Sequence, residues 1–334
     1  MNRLLITGPS GFIGAHCLRL IEQAATYSEI HAVNRRGEGP GQGRVIWHAV
    51  DLRRPADTVH LIETVHPTHL FHAAWVATPG AYLSSPENHA WLQASVALVR
   101  AFAEAGGQRF VGVGSSAEYA PADSPCDEET AALQPASLYG ESKLALWEAA
   151  QTSARQHGMQ AAWARLFLPY GPGDSPARLI PTVLSHLRAR KALALSHGKQ
   201  KRDFIYAPDA ARMLVRLLDA HATGAFNIGT GEPRSVRSVI EALADRVGAR
   251  DCLRFGEIPL REGEPLVLVA SMKKFHEVLG VEPITPFDEA LDAVVRSRNE
   301  KYPSHRLRTF QPDIYRSGRP PPICGLCASA KLAV

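Results

Sequence analysis

Arg3-Leu4-Leu5-Ile6-Thr7-Gly8-Pro9-Ser10-Gly11-Phe12-Ile13-Gly14 decides the fold. Residues 3–7 read as a short buried strand. Gly8 to Gly14 form a glycine-rich turn, and Ile13, Cys17, Leu20 and Ile21 then recur at helical spacing. Glycines permit a tight turn and let backbone approach a pyrophosphate, which the free N–H groups of a helix N-terminus attract. Gly8, Ser10, Gly11, Phe12, Ile13 and Gly14 are therefore expected to contact a dinucleotide. The spacing is G-x-x-G-x-x-G, not the commoner G-x-G-x-x-G, so the turn's place after the first strand carries the inference.

The second strand spans residues 29–34. Dinucleotide folds place an acidic ribose anchor about 20 positions beyond the glycines. Asn34 stands there, followed by Arg35 and Arg36. A carboxylate would repel a 2′-phosphate, whereas two guanidiniums bind one. The sequence thus favours NADP(H), with NAD(H) as the alternative. A third strand, 44–50, ends at Asp51-Leu52, where a carboxylate is placed to accept from an adenine amino group. A fourth, 68–71, leads into His72-Ala73-Ala74, and small Ala73 and Ala74 let a cofactor lie against the backbone. His60, His66, His69 and His72 share no face and lack carboxylate partners, so no metal site is expected.

Residues 86–105 read as an amphipathic helix, and 109–114 as a fifth strand delivering Ser115-Ser116-Ala117-Glu118-Tyr119. Open α/β sheets bind ligands at the C-terminal ends of central strands, which makes Ser115 a candidate donor to a substrate oxygen. After a loop rich in Pro, Asp and Glu comes Ser137-Leu138-Tyr139-Gly140-Glu141-Ser142-Lys143, opening a long helix. Tyr139 and Lys143, at i and i+4, share a face. A neighbouring ammonium lowers a tyrosine pKa, which suits Tyr139 to acid–base work. A sixth strand, 161–167, completes the alternation expected of a Rossmann-type doubly wound parallel sheet in an α/β chain.

Beyond Tyr170-Gly171-Pro172 the segments shorten and Gly and Pro punctuate them. The expected organisation is a dinucleotide-binding domain over 1–168 that also uses parts of 204–229. A smaller mixed α/β substrate-binding lobe follows over 169–315, then a flexible tail over 316–334. The 334 residues are 45% hydrophobic and 21% charged, with a net charge of +4. No apolar run suits a membrane helix, and no basic, aromatic-interleaved stripe suits nucleic acid. Five scattered cysteines point to a reducing, cytoplasmic setting. Cys324 and Cys327 have metal or redox spacing but no second pair.

Taken together, Thr7-Gly8-x-x-Gly11-x-x-Gly14, Asp51-Leu52, His72-x-Ala74, Ser115-Ser116, Tyr139-x-x-x-Lys143, Tyr170-Gly171-Pro172, Arg202-Asp203-Phe204 and Phe226-Asn227-Ile228-Gly229 resemble the extended short-chain dehydrogenase/reductases. The branch resembled is that of nucleotide-sugar epimerases, dehydratases and reductases. The resemblance implies Tyr139 as general acid–base, Lys143 as its pKa-lowering partner on the nicotinamide ribose, and Ser115 as the residue polarising the reacting C–O group. It implies Ser116 at the substrate, Arg202 at its diphosphate, Arg261 and Glu264 at its nucleotide, where two guanidiniums suit a diphosphate, and a homodimer paired through the helices of 86–105 and 139–157. Leu144, Leu146 and Trp147 are the apolar candidates for that interface, or for packing on the sheet. Departures narrow the chemistry. Dehydratases of this kind carry Asp-Glu where Ser116-Ala117 stand, and Leu168 and Trp91 replace asparagines common in the family. The pattern is most like NADPH-dependent reductases of 4-keto-6-deoxy nucleotide sugars. A 4-epimerase with bound NAD is the alternative, and a dinucleotide-binding sensor a third possibility.

Overall fold

Leu4, Leu5 and Ile6 have no exposed surface, and their alternation defines the two faces of the central sheet. Leu4 and Ile6 pack with Ala32, Phe71 and Val111 on one face. Leu5 packs with Val33, Leu70 and Phe110 on the other. A strand covered on both sides reads as a continuous apolar run, as residues 4–6 do. The structure is a computed structural model that describes residues 2–39, 43–260 and 263–297. Arg261, Cys324, Cys327 and the tail over 316–334 lie outside the described residues.

The first half runs β1 (Arg3–Thr7), α1 (Phe12–Gln23), β2 (Glu29–Asn34), β3 (Val45–Ala49), α2 (Pro55–Val65), β4 (His69–His72), α3 (Glu87–Glu104), β5 (Arg109–Ser115), α4 (Leu138–His157) and β6 (Gln160–Leu166). Boundaries fall within one or two residues of those read from the sequence. The chain continues through β7 (Leu168–Tyr170), α5 (Leu179–Arg188), β8 (Leu193–Leu195), β9 (Lys201–Tyr206), α6 (Ala207–Asp219) and β10 (Gly224–Ile228). Strand β10 returns to pair in parallel with β6. The seven-stranded sheet therefore runs β10-β6-β5-β4-β1-β2-β3, every pairing parallel. Helices α1 and α6 pack on one face, with α2, α3 and α4 on the other. This is the doubly wound α/β arrangement expected from the sequence. Strand order reverses between β1 and β4, so a ligand crevice opens at their C-terminal ends.

The remainder adds β11 (Pro233–Ser235), α7 (Val236–Arg246), β12 (Leu253–Phe255), β13 (Val267–Leu268), α8 (Lys273–Leu279) and α9 (Phe287–Arg296). Strands β11, β9 and β13, with β7 beside β9, form one small mixed sheet, and β8 pairs with β12. A separate apolar cluster joins α5, α7 and α9 through Val183, Leu187, Val239, Leu243 and Leu291. Leu146 and Trp147 of α4 are buried in the sheet-side core, so of the three apolar candidates only Leu144 keeps partial exposure. Among the described residues no helix is long and apolar enough to cross a membrane.

Candidate active site

The glycine turn comes close to the end of β4. Gly8 has φ +71°, and a Cβ there would lie 2.7 Å from the backbone of Ala73 and Ala74. A Cβ on Gly14 would lie 2.0 Å from Gly8 O. No side chain caps Gly11 at the start of α1, so the helix N-terminus keeps its donors for an anion. Both features fit a dinucleotide laid across the turn. One cavity of about 920 Å³ runs from Gly8, Gly11, Phe12, Ile13 and Gly14 past Ala73 to Ser115, Tyr139 and Lys143, and on to Arg202 and Glu264.

At the end of β2, Asn34 takes a role the sequence did not suggest. Its Nδ2 donates to Ser10 Oγ at 2.9 Å and Glu38 O at 2.8 Å. Its Oδ1 accepts from the N–H groups of Arg36 and Gly37, each at 2.8 Å. All four hydrogen-bonding positions of the amide are filled. Asn34 therefore shapes the turn that presents the exposed Arg35 and Arg36 and offers no free group to a ribose. Asp51, expected at an adenine, accepts from the Arg53 guanidinium at 3.1 and 3.0 Å and from Arg53 N. Those bonds hold its carboxyl below the usual range. Leu52 and Ala74 are buried beside it in the sheet-side core. His72 sits between Thr7 Oγ1 and Ser95 Oγ, at 2.8 and 2.9 Å. Burial, then the Lys143 charge, lowers its pKa to about 3, so it is a neutral pin between β1, β4 and α3.

Ser115 ends β5 and caps a short turn over Ser116–Glu118. Its Oγ accepts from Ala117 N at 3.1 Å and bonds the Tyr139 side chain. Ala117 N takes one lone pair of the hydroxyl, whose proton is left for Tyr139 or for an oxygen bound in the cavity. Beneath it lies Glu118, which the sequence reading missed. Glu118 is fully buried and accepts from Ser115 N at 2.7 Å, from Trp163 Nε1 at 2.9 Å and from Arg165 Nε at 2.9 Å. Arg165 continues to Tyr119 Oη at 3.1 Å, which donates to Asn227 Oδ1 at 2.8 Å. Burial pushes the Glu118 carboxyl up against the pull of Arg165. A Cβ on Gly114 would strike Trp163 Nε1 at 2.2 Å, so the close approach in this network requires glycine.

Helix α4 starts with a Ser137 cap on Gly140 N, which brings Tyr139 and Lys143 to one face. Burial pushes the Tyr139 hydroxyl above its usual pKa, aided by Tyr82, while the Ser115 bond draws it down less strongly. The expected lowering by Lys143 is not what the geometry provides. The ammonium is 5.9 Å from the Tyr139 ring centroid and donates to Val113 O at 2.9 Å. It also lies 4.0 Å from the centroid of the Trp75 ring. Burial lowers Lys143 to about 7, with Glu118 pulling it back up. The pair is thus poised near neutrality on the lysine side.

At the other end of the cavity Arg202 donates to Glu264 Oε1 at 2.6 Å, to Pro265 O at 2.8 Å and to Lys201 O at 3.0 Å. Two of the residues expected at substrate, Arg202 and Glu264, are therefore brought together as a buried ion pair, and Arg202 is not left facing open solvent. Asp203 is bonded to Thr230, Gly231 and Ala270 and braces the lobe. Ser116 is buried in the cavity wall. Arg178 and Asp174, not singled out from the sequence, also line the cavity. Burial raises Asp174 to about 6 against the nearby Arg178 charge. Around the centre the wall is apolar: Ala77, Leu83, Ala117, Pro121, Leu138 and Leu168.

Comparison with known proteins agrees with this geometry. The family described as NAD dependent epimerase/dehydratase family matches residues 4–229. The UDP-glucose 4-epimerase of Halalkalibacterium halodurans is 27% identical over 319 residues, covering 86% of this chain and 92% of that protein. Among solved structures, the dTDP-glucose 4,6-dehydratase DesIV of Streptomyces venezuelae, a double mutant with NAD bound, superposes with a TM-score of 0.78. It is 25% identical and covers 88% of this chain and 96% of its own. The protein MoeE5, in complex with UDP-glucose and NAD, has a TM-score of 0.77 at 27% identity, covering 88% and 97%.

Proposed function

The chain belongs to the NAD-dependent epimerase/dehydratase family, and from that premise we propose that it reduces the C4 keto group of a nucleotide-linked 4-keto-6-deoxy sugar, using NADPH. The observation that carries the reading is the proton inventory at the reacting centre. Tyr139 has Ser115 as its hydroxyl neighbour, while Ala117 supplies no acid or base. Elimination of water needs such a pair; reduction at one carbon needs one proton donor. The apolar wall of Leu83, Ala117, Leu138 and Leu168 suits a sugar lacking a 6-hydroxyl. Arg35 and Arg36, presented by the Asn34 turn without an acidic ribose anchor, favour the 2′-phosphate of NADPH.

In this mechanism the Ser115 hydroxyl turns from Tyr139 to donate to the C4 oxygen and polarises the carbonyl. A bound nicotinamide supplies the hydride. Tyr139 gives the proton to the developing alkoxide, and the Lys143 ammonium, one turn away on the same helix face, is the countercharge for the phenolate that forms, although it does not lower the resting tyrosine. Val113 O holds one ammonium proton, and the Trp75 ring face lies over the same group.

A second reading, a 4-epimerase that retains NAD, is favoured by the named relative and by the NAD bound in the similar structures. The two part company in one assay. Purified protein is given dTDP-, GDP-, CDP- and UDP-linked 4-keto-6-deoxyhexoses with NADPH or NADH, and loss of reduced-cofactor absorbance is followed. Oxidation of NADPH with one of them is expected. Interconversion of two nucleotide sugars without added cofactor supports the epimerase instead, and no oxidation with any substrate overturns the reductase.

A further inference from the structure

Asn88 is fully buried in the first turn of α3, yet its side chain serves the preceding loop. Its Oδ1 accepts from Trp75 Nε1 at 2.8 Å. Its Nδ2 donates to Tyr82 O at 2.7 Å and Ser85 O at 2.9 Å. One amide therefore ties both ends of residues 75–85 to a helix. Both tethered residues touch the catalytic pair. The Trp75 ring covers the Lys143 ammonium at 4.0 Å. The Tyr82 ring meets Tyr139 edge-on, with centroids 4.9 Å apart and planes at 87°. Tyr139 N donates to Leu83 O at 3.0 Å, which locks the same loop onto the start of α4.

We infer that Asn88 is a positioning residue, which clamps Trp75 over the Lys143 ammonium and Tyr82 against Tyr139 so that both groups meet substrate in one geometry. A ring face stabilises an ammonium, the more so when the site is dry. Burial works against the charge on Lys143, so the indole offsets part of that penalty. An indole free to swing away would leave the ammonium with Val113 O and the more distant Trp163 ring, 6.0 Å from its centroid. Other groups bear on Lys143 too: Glu118 from the turn after β5, with Arg165 of β6 behind it, His72 of β4, and Tyr139 one turn away. None of them belongs to the 75–85 loop, so changes in that loop read out separately.

This inference rests on the reading of Tyr139 and Lys143 as the proton-transfer pair, and its test needs no turnover. The full chain carries eight lysines and five tryptophans, few enough to resolve by NMR. Lysine side chains are labelled with ¹³C, the Lys143 ε-CH₂ signal is assigned by its loss in Lys143→Met, and pH is titrated. Trp75→Leu, which removes both the ring face and the N–H, should lower the Lys143 midpoint by ~0.5–1.5 pH units. Trp75→Phe, which keeps a ring, should lower it by less than half as much. Asn88→Ala should move it the same way and speed solvent exchange of the Trp75 indole N–H. Should Asn88→Ala not fold, Trp75→Leu, which leaves the bonds to Tyr82 and Ser85 in place, carries the test. An unmoved or raised midpoint in Trp75→Leu overturns the inference, as does an indole proton that exchanges equally slowly in Asn88→Ala. Midpoints that shift as described in a protein that reduces no keto sugar would count against the proposed reaction alone.

Discussion

Replacing Lys143 by methionine should abolish proton transfer and, at neutral pH, make the protein more stable. Lys143 is 3% exposed, and burial brings it to about 7 from an ordinary 10.5. That difference of about 3.5 pH units corresponds to roughly 5 kcal/mol at about 1.4 kcal/mol per unit. Methionine fills a similar volume without the charge. Against this gain stand the unpaired Val113 O, ~1–3 kcal/mol, and the lost contact with Trp75, ~1 kcal/mol. A net gain on the order of 2 kcal/mol remains. The sign depends on pH. Below about 7 both folded and unfolded chains carry the ammonium, and the folded state bears the full cost of burying it. Between about 7 and 10.5 that cost fades, because the folded lysine has already lost its proton. Above 10.5 both states are neutral and the cost is gone. Urea unfolding of parent and Lys143→Met at pH 6 and pH 10.5 measures this. The variant should be more stable at pH 6, and equal or less stable at pH 10.5. A variant less stable at pH 6, or a gain of equal size at both pH values, refutes the reasoning.

Tyr139→Phe should cut turnover by ~10²–10⁴, while its affinity for NADPH, measured by fluorescence titration, stays close to that of the parent. Arg35→Ala with Arg36→Ala should weaken NADPH by ~10–100-fold through lost charge-assisted bonds, and leave NADH binding nearly unchanged in the same titration. Glu118→Gln strands Arg165 and should cost ~3–5 kcal/mol in urea unfolding, whereas adding Arg165→Met should recover part of that loss. Strict additivity of the two changes would rule out the buried pair as a unit. Asp174 is raised to about 6 from 3.8, so its burial costs nothing below about pH 4 and its full amount above about pH 6. Asp174→Asn should therefore stabilise by roughly 2–3 kcal/mol at pH 8 and not at pH 4, as judged by urea midpoints at the two values.

The parallel sheet and the glycine turn were legible because local pattern determines them. Leu4, Leu5 and Ile6 announce a strand buried on both faces, and Gly8 and Gly14 mark positions where a Cβ would collide with backbone. Tyr139 and Lys143 were legible because helical spacing alone puts them on one face. What escaped the sequence depends on contacts between distant segments. Glu118 and Arg165 lie 47 positions apart, and nothing local distinguishes either from a surface charge. The Asn34 amide looked like a ribose ligand because its position along the chain was right. Its four bonds to the turn are a tertiary fact. Arg202 and Glu264 were each read toward substrate, and each is in the cavity wall, but their mutual bond across 62 positions could not be foreseen.

The site also divides by what holds each part. Ser115 is fixed from below by Glu118, and Tyr139 from its own helix. Gly140 packs so closely on the Ser115 turn that a Cβ would lie 2.2 Å from Ala117 O. The segments carrying Ser115 and Tyr139 are thus packed as one unit, the kind of preorganised arrangement that the proposed mechanism requires. The other cavity walls come from elsewhere, with lining residues within 75–84, 167–169, 173–178 and 263–268 and at Pro121. Most of these are connecting segments, the part of a fold that varies without disturbing the scaffold. On the proposed mechanism proton transfer would belong to the sheet ends, while choice of sugar, and of the face presented to hydride, would belong to the loops. On this division Leu168 bears on how the sugar is seated in the pocket, and Ala117 on which reaction can follow. Leu168→Asn should therefore change KM for the keto sugar while leaving the reaction type unchanged, as steady-state kinetics and product analysis would show; a changed product type would refute the division.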